Sequence, residues 1–498
     1  MNRTVKAGYL AAAQGYGSCM AIVVASVLSR YLEQEDYATY RQTILTFRFL
    51  APLLLMGLPQ ASVYFLSRDK IRTRGILIEI QILLISVGIL FFLFLILGGN
   101  QLVASVLNNP DLSETLIWFA PYALFVLPVS ALNTALTACN RPQWAAIFSV
   151  ITQTIFGAVI ILLINNSDSV VTLIKGVIVH SLFISIIALY IFLKISKNTE
   201  SSISLIGMKT LLAYSIPLGV GGAVGYLNIN LDKIVVARFV NPKDYAIYIN
   251  GAFEVPLIGM ITGAASAIIL PDMIRQIKAG NSSVALNLWK RAAVKSATLL
   301  FPFTVVLWVW APQIMITLFG KNYENSAQIF KIYILLVPIR IGFFGVIYQA
   351  CGKGKLLLRR SLLALTLNLI ATVPLTYLMG PVGAACSTVF VSWLIMVPYN
   401  SIETSRFLKV KTRDLYAWRP LFKITLSSAA LLLSLSCLKL YVSDVLMLEL
   451  VVQLIIIIPC TLICAVILHL VFGVWKKEDI SNACKSLYAK IYNARKNS

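Results

Sequence analysis

Charge is what this chain has least of. Asp, Glu, Lys and Arg make up 12% of its 498 residues and 59% are hydrophobic, where a soluble domain carries about 25% charged residues. So few polar side chains cannot cover a water-facing surface. A soluble enzyme or binding module is excluded, and the apolar majority must face lipid. Acidic residues are scarcer than basic ones, 20 against 42, for a net charge of +22. In a soluble protein that excess points to nucleic acid. Here the cations sit in the gaps between apolar runs, with no basic stripe interleaved with aromatics, so no nucleic-acid partner is expected.

Other absences narrow the chemistry. There are two histidines, His180 and His469, and the eight cysteines form no C-x-x-C pair, so no metal site is expected. The cysteines read as small buried hydrophobes. The string nearest to a nucleotide-binding loop, Gly352-Lys353-Gly354-Lys355, lacks the upstream glycine and the following Ser or Thr. Energy for any transport then comes from an ion gradient, a partner or the cargo's own gradient. No cofactor is expected beyond H+ or Na+ as a coupling ion. The short outer loops hold no Ser/His/Asp set and no carboxylate pair, which argues against an enzyme.

What the chain does have is long apolar runs. A membrane helix needs roughly 20 mostly apolar residues. About fourteen stretches qualify, near 8–29, 42–66, 76–97, 115–137, 143–164, 170–193, 211–231, 246–270, 293–318, 328–351, 356–378, 381–402, 420–440 and 446–473. The start resembles a signal peptide, with Arg3 and Lys6 ahead of an apolar stretch, but Gln14, Gly15 and Tyr16 interrupt it and apolar character runs on to Leu28, which reads as a retained span. With the N-terminus placed in the cytoplasm, inner loops and tails carry 31 Lys and Arg, outer loops carry 8, and Arg48, Lys175 and Arg340 lie within spans. That asymmetry, close to four to one, follows the positive-inside rule and puts both termini in the cytoplasm. The tail beyond Trp475 is basic, with Ile480, Cys484, Leu487 and Ile491 at helical spacing, suited to an anionic membrane surface or to solvent.

The chain also repeats itself. Residues 29–40, SRYLEQEDYATY, match 237–248, ARFVNPKDYAIY, at an offset of 208; Ala138-Cys139-Asn140-Arg141 matches Ala350-Cys351-Gly352-Lys353 at 212. Six spans separate the copies. An even number keeps the same orientation, so the repeat is parallel: two six-helix halves related by an axis along the membrane normal. The expected organisation is an all-α membrane protein with a six-helix lobe over 1–200, a second over 207–410, an appended pair over 419–473 and a tail over 474–498.

A charge at the bilayer centre costs at least about 2.5–3.5 kcal/mol, so charges within spans usually face a cavity or a partner. Arg48 stands on the second span in line with Arg41, Pro52 and Pro59, and Asn228, Asn230, Asp232 and Lys233 end the seventh. Asn250 and Glu254 lie a turn apart on the eighth, and Arg340 is on the tenth with Tyr333 and Tyr348. The repeat aligns Arg48 with Pro256, putting Arg48 and Glu254 at similar heights. Two readings remain open. These residues line a water-filled cavity between the halves, or they form structural ion pairs such as Arg48–Glu254 and Asp232–Lys233.

Two six-helix halves plus an appended pair resemble the multidrug/oligosaccharidyl-lipid/polysaccharide exporter superfamily. Arg30 to Tyr40, Arg48, Gly57-Leu58-Pro59-Gln60-Ala61-Ser62, and Asn230-Leu231-Asp232-Lys233-Ile234 leading to Asp244-Tyr245-Ala246-Ile247-Tyr248 are similar to the O-antigen (Wzx-type) polysaccharide flippases. The resemblance implies a flippase that carries undecaprenyl-pyrophosphate-linked oligosaccharide units across the bacterial inner membrane for O-antigen, capsule or exopolysaccharide assembly. Membrane lipids, a polysaccharide polymerase and chain-length proteins are the implied partners. Arg48, Lys233 and Arg340 would receive pyrophosphate and sugar with Asn228 and Asn250, while Asp232 and Glu254 would serve ion coupling or gating. The rivals are a cation-coupled multidrug exporter, a lipid II flippase and, from another class, an integral-membrane glycosyltransferase or polymerase.

Overall fold

The computed structural model describes residues 3–69, 71–166, 169–197, 199–352, 354–445, 461 and 463–474. Most of the expected fourteenth span, the basic tail after its first residue, and Lys353 lie outside these. Among the described residues every regular element is helical. Ten helices are long and apolar enough to cross a membrane. The number is twelve when the bent pairs Gln34–Leu54 with Leu58–Leu66 and Leu112–Phe119 with Tyr122–Ala138 each count as one span. That is fewer than the fourteen expected, partly because the expected eleventh and twelfth spans fall in one stretch, Leu358–Leu408. Its 51 residues would run about 77 Å as helix, more than twice a bilayer core of about 30 Å, and it breaks at Gly380 (φ 59°, ψ −143°). Thr73–Val106 buries only 28% of its most apolar window and exposes Leu90 and Leu97. A helix apolar all round and so little covered has lipid as its remaining solvent. The chain is a multi-pass membrane protein.

It divides into two compact units. The first runs through Ala252 and adds Leu318–Tyr323 and Lys355–Val391. Within it, Arg3–Tyr31 lies along Pro142–Ile164. Small residues let the two backbones close in: a Cβ on Gly157 would stand 2.8 Å from the Met20 sulfur, and the Tyr16 and Thr154 hydroxyls bond at 2.7 Å. Gln34–Leu54 packs on both Leu205–Phe239 and Pro242–Gly251. Past Leu54 the chain bends through Met56 (φ 47°) and Gly57 (φ 70°). There it crosses the Leu205–Phe239 helix backbone to backbone. A Cβ on Gly57 would lie 2.4 Å from the Ser215 carbonyl oxygen, and one on Gly219 2.5 Å from the Met56 carbonyl carbon. Only glycine fits on both sides.

The repeated strings fold alike. Arg3–Tyr31 and Leu205–Phe239 end at matching positions, and Gln34–Leu54 and Pro242–Gly251 begin at matching positions, after extended residues Glu33 (ψ 156°) and Asn241 (ψ 162°). In the second string Asn140 (φ 62°) and Gly352 (φ 67°) take the same left-handed conformation just beyond Leu132–Ala138 and Phe344–Ala350. Asn and Gly are the two residues that most readily adopt it at a helix end.

The second unit comprises Phe253–Thr317, Glu324–Gly354 and the described residues from Ser392 onward. Ser282–Val309 is its most covered helix, packed on Pro256–Lys278 and Trp418–Val445. Val306, Trp310, Leu431, Leu435 and Ala465 form one apolar cluster. Buried His469 joins the Ser427 hydroxyl (2.8 Å) to the Thr298 carbonyl (3.0 Å), a structural tie.

Two expected spans, 246–270 and 328–351, are not continuous helices. Pro256 opens Pro256–Lys278 and, because proline disfavours helix in the residue before it, Val255 is extended (φ −68°, ψ 119°). The other stops at Ile334, resumes as a 3-10 turn over Pro338–Gly342, and restarts as Phe344–Ala350 after Phe343 at φ 41°. Carbonyls released by such breaks need new donors inside a membrane. Trp393 Nε1 donates to the Leu335 carbonyl (2.7 Å) and buried Trp289 Nε1 to that of Gly342 (2.8 Å).

Two substitutions test these contacts. Gly219→Leu should abolish or sharply lower the yield of folded protein, while Gly222→Ala, with no neighbour within 4 Å of its Cβ, should leave yield and melting temperature in detergent unchanged. Trp289→Phe keeps an aromatic ring but orphans the Gly342 carbonyl; a destabilisation of about 1–3 kcal/mol is expected, read as a fall in melting temperature that Trp418→Phe, at an exposed ring, should not reproduce.

Candidate substrate site

In the first unit, the packing of Gln34–Leu54 on Leu205–Phe239 and Pro242–Gly251 gathers most of the ionisable residues singled out from the sequence. Arg48 projects from the middle of Gln34–Leu54 and is exposed. Among the described residues it has neither an ion pair nor a hydrogen bond. Tyr40, Tyr122, Tyr226 and Tyr245 lie within electrostatic reach of its guanidinium. Two turns earlier Arg41 donates to the Tyr37 hydroxyl (3.0 Å), which in turn donates to the Asn250 side-chain carbonyl (2.6 Å). Tyr37 and Asn250 are buried. Asn250 therefore belongs to a packed polar chain and does not project into open space.

Asp232, also buried, accepts from the Tyr248 hydroxyl at 2.6 Å. Lys233 Nζ donates to Asn230 Oδ1 at 2.9 Å, and the Asn228 carbonyl accepts from Asn368 at 3.1 Å. Arg41, Arg48 and Lys233 bring three cations, and Asp232 one carboxylate, to the packed helices Gln34–Leu54 and Leu205–Phe239. The local balance is positive.

In the second unit Arg340 and Glu254 form an ion pair with each other, both about half exposed. Arg340 stands in the 3-10 turn and Glu254 in the gap before Pro256. The charges therefore sit where the helices are interrupted, the places where irregular backbone in membrane proteins lines cavities. The Arg48–Glu254 pairing considered from the sequence is replaced by Arg340–Glu254, and Arg48 is left open.

Several residues the sequence did not single out prove structural to the site: Tyr37 and Tyr248 as donors to Asn250 and Asp232, Asn368 beside Asn228, and Trp289 and Trp393 at the interrupted helix. The tyrosines had a signal, since Tyr37/Tyr245 and Tyr40/Tyr248 are matched pairs in the repeat. The tryptophans had none. At Cys139, in the second repeated string, partial burial pushes the thiol pKa up against the lowering effect of nearby Arg141. No group of three or more metal-ligating side chains occurs among the described residues.

Comparison with known proteins gives this geometry a context. "Lsg locus putative protein 1" of Haemophilus influenzae is 22% identical over 362 residues, 70% of this chain and 85% of that protein. "Probable lipid II flippase MurJ" of Rhizobium tropici is 22% identical over 200 residues, 38% of this chain and 36% of the relative. Among solved structures, lipid II flippase MurJ in an inward closed conformation superposes with a TM-score of 0.73 at 16% identity, covering 93% of this chain and 97% of its own. An inward-facing multidrug resistance MATE transporter of the MOP superfamily gives 0.60 at 15% identity, covering 80% and 95%. At such identities the two structures establish the fold. Where these names describe an activity, it is flipping or transport and not enzymatic catalysis. The profile of the family described as "Polysaccharide biosynthesis protein" matches residues 4–277, more than half of the chain, and the chain belongs to that family.

Proposed function

We propose that this protein flips an oligosaccharide repeat unit carried on undecaprenyl pyrophosphate from the inner to the outer leaflet of the bacterial inner membrane, for O-antigen, capsule or exopolysaccharide assembly. The observation that carries the reading is Arg48: an exposed guanidinium within a membrane-spanning bent helix pair, without a carboxylate partner among the described residues, and among tyrosine hydroxyls. A lone cation there is costly unless an anionic ligand visits it. Guanidinium pairs with phosphoryl oxygens in a planar, two-pronged geometry, and water-poor surroundings strengthen the attraction. Lys233 is a further cation of the site, Arg340 in the second unit is a separate candidate for the anionic groups of the cargo, and Asn228, with the phenol groups, suits sugar hydroxyls. Asn250 acts by holding Tyr37 and Arg41 in place. Asp232 and Glu254 serve coupling to H+ or Na+ or gating, Glu254 by releasing Arg340 to the pyrophosphate of the cargo. Both termini are cytoplasmic, and the chain is organised as six-helix lobes over 1–200 and 207–410. A polymerase and chain-length proteins act on the delivered unit.

A second reading, lipid II as cargo, is favoured by the fold match to MurJ; it shares the pyrophosphate chemistry and differs in the sugar. Export of cationic drugs fits poorly with an open arginine.

Deleting the gene should leave cells viable, with undecaprenyl-linked repeat units accumulating and surface polysaccharide lost. Lethality with lipid II accumulation would select the second reading, and intact polysaccharide with raised dye retention would select drug export. Arg48→Ala should lower export roughly 10- to 100-fold, the equivalent of charge-assisted hydrogen bonds worth about 1.5–3 kcal/mol, at unchanged membrane abundance. Arg48→Lys should retain part of it. Wild-type export by Arg48→Ala would remove Arg48 from the site.

A further inference from the structure

The two copies of the first repeated string do the same thing at one end of the bundle, each to a helix end in the opposite half of the repeat. At the second copy, Arg238 Nη1 donates to the Ser105 (2.7 Å) and Val106 (3.4 Å) carbonyls, the last of Asn100–Val106. At the first copy, Ser29 Oγ donates to the Phe319 carbonyl (3.2 Å), Ser26 Oγ to that of Leu318, and Gln34 Nε2 to that of Asn322 (2.7 Å). Leu318 and Phe319 are the last residues of Ala311–Phe319, and the Arg30 side chain lies against Gly320 just beyond. Val106 and Leu318 are 212 positions apart, the offset of the second repeated string. Each half of the repeat thus ends its first helix on the terminal carbonyls of a helix in the other half.

The helix-terminal carbonyls lie beyond the i, i+4 ladder and carry the negative end of the helix dipole, which favours a guanidinium. The bonds run from side chains to carbonyls: those of Arg238 and Gln34 are exposed, and that of Ser29 is buried. None belongs to a helix ladder, so they can be released without unwinding either helix. The Gly57–Gly219 crossing, where backbone meets backbone, has no such freedom. Close by, the Tyr37 ring stands edge-on to Tyr323, 5.8 Å between centroids, and its hydroxyl holds Asn250.

We propose that Arg238 on Ser105 and Val106, and the Ser26–Ser29–Arg30 segment on residues 318–320, are paired clasps that close the Arg48 site at this end, and that both must release for cargo to pass. The inference rests on the transport reading, so its primary test uses no cargo. In a chain freed of its native cysteines, Arg48→Cys is labelled with a membrane-impermeant thiol reagent in right-side-out and in inside-out vesicles. Adding Arg238→Ala with Ser29→Ala should raise the labelling rate several-fold from one face only, with the melting temperature retained within a few degrees, and Arg238→Lys should raise it less. Unchanged labelling from both faces in a folded double variant would overturn the clasps. In the functional arm, Ser105→Cys with Arg238→Cys is bridged by a reducible bifunctional thiol linker; export should stop and return on reduction. Continued export by the fully bridged protein would also overturn the proposal. Raised labelling in a chain whose deletion leaves lipid-linked sugars unchanged would instead retain the clasps and remove the cargo assignment.

Discussion

An unpaired carbonyl buried in hydrocarbon costs several kcal/mol, and the candidate site depends on how this protein meets that constraint. An unbroken helix satisfies its own backbone and offers a ligand nothing but side chains. Here the chain is broken at Ala252–Val255 and again between Ile334 and Phe344. The second break is tolerated because Trp289 and Trp393 supply the missing donors. Glu254 and Arg340 sit in these interruptions and reach each other there. Continuous helices would have left each of them on a helix face.

A second constraint acts in the first unit. The crossing at Gly57 and Gly219 leaves no room for a Cβ on either side. That close approach keeps Gln34–Leu54 against Leu205–Phe239, and Arg41, Arg48 and Asp232 all lie within electrostatic reach of Tyr245. Asp232 is one carboxylate against the three cations Arg41, Arg48 and Lys233, so the local sum stays positive. Glu254 and Arg340 neutralise each other, while Arg41, which was not among the candidate cations, joins the cluster through Tyr37.

Much of this was legible in the sequence, for identifiable reasons. Apolar runs of span length separated by cations report lipid exposure directly, since no other solvent tolerates them. Tyr37 and Tyr245, or Asn140 and Gly352, appear as repeated letters because the same local conformation is built twice, and local conformation is what short strings encode. The two interruptions were partly signalled by Pro256 and Pro338, but proline is common in membrane helices and bends as often as it breaks. The 51-residue stretch through Gly380 divides the expected eleventh and twelfth spans where the sequence placed their boundary.

Fold class, the apolar spans, the basic excess of one set of loops and the parallel repeat were determined by the sequence alone, because each depends on composition or on contacts close along the chain. Which charge meets which was decided only by the tertiary structure. Arg340 and Glu254 are 86 positions apart, Tyr37 and Asn250 213 apart, and Trp289 and Gly342 53 apart. Partners at such separations are chosen by how helices cross, and the crossings are set by shape at residues such as Gly57 and Gly219 that carry no charge. Arg48 looked the same from the sequence as Arg340; packing paired one and left the other open.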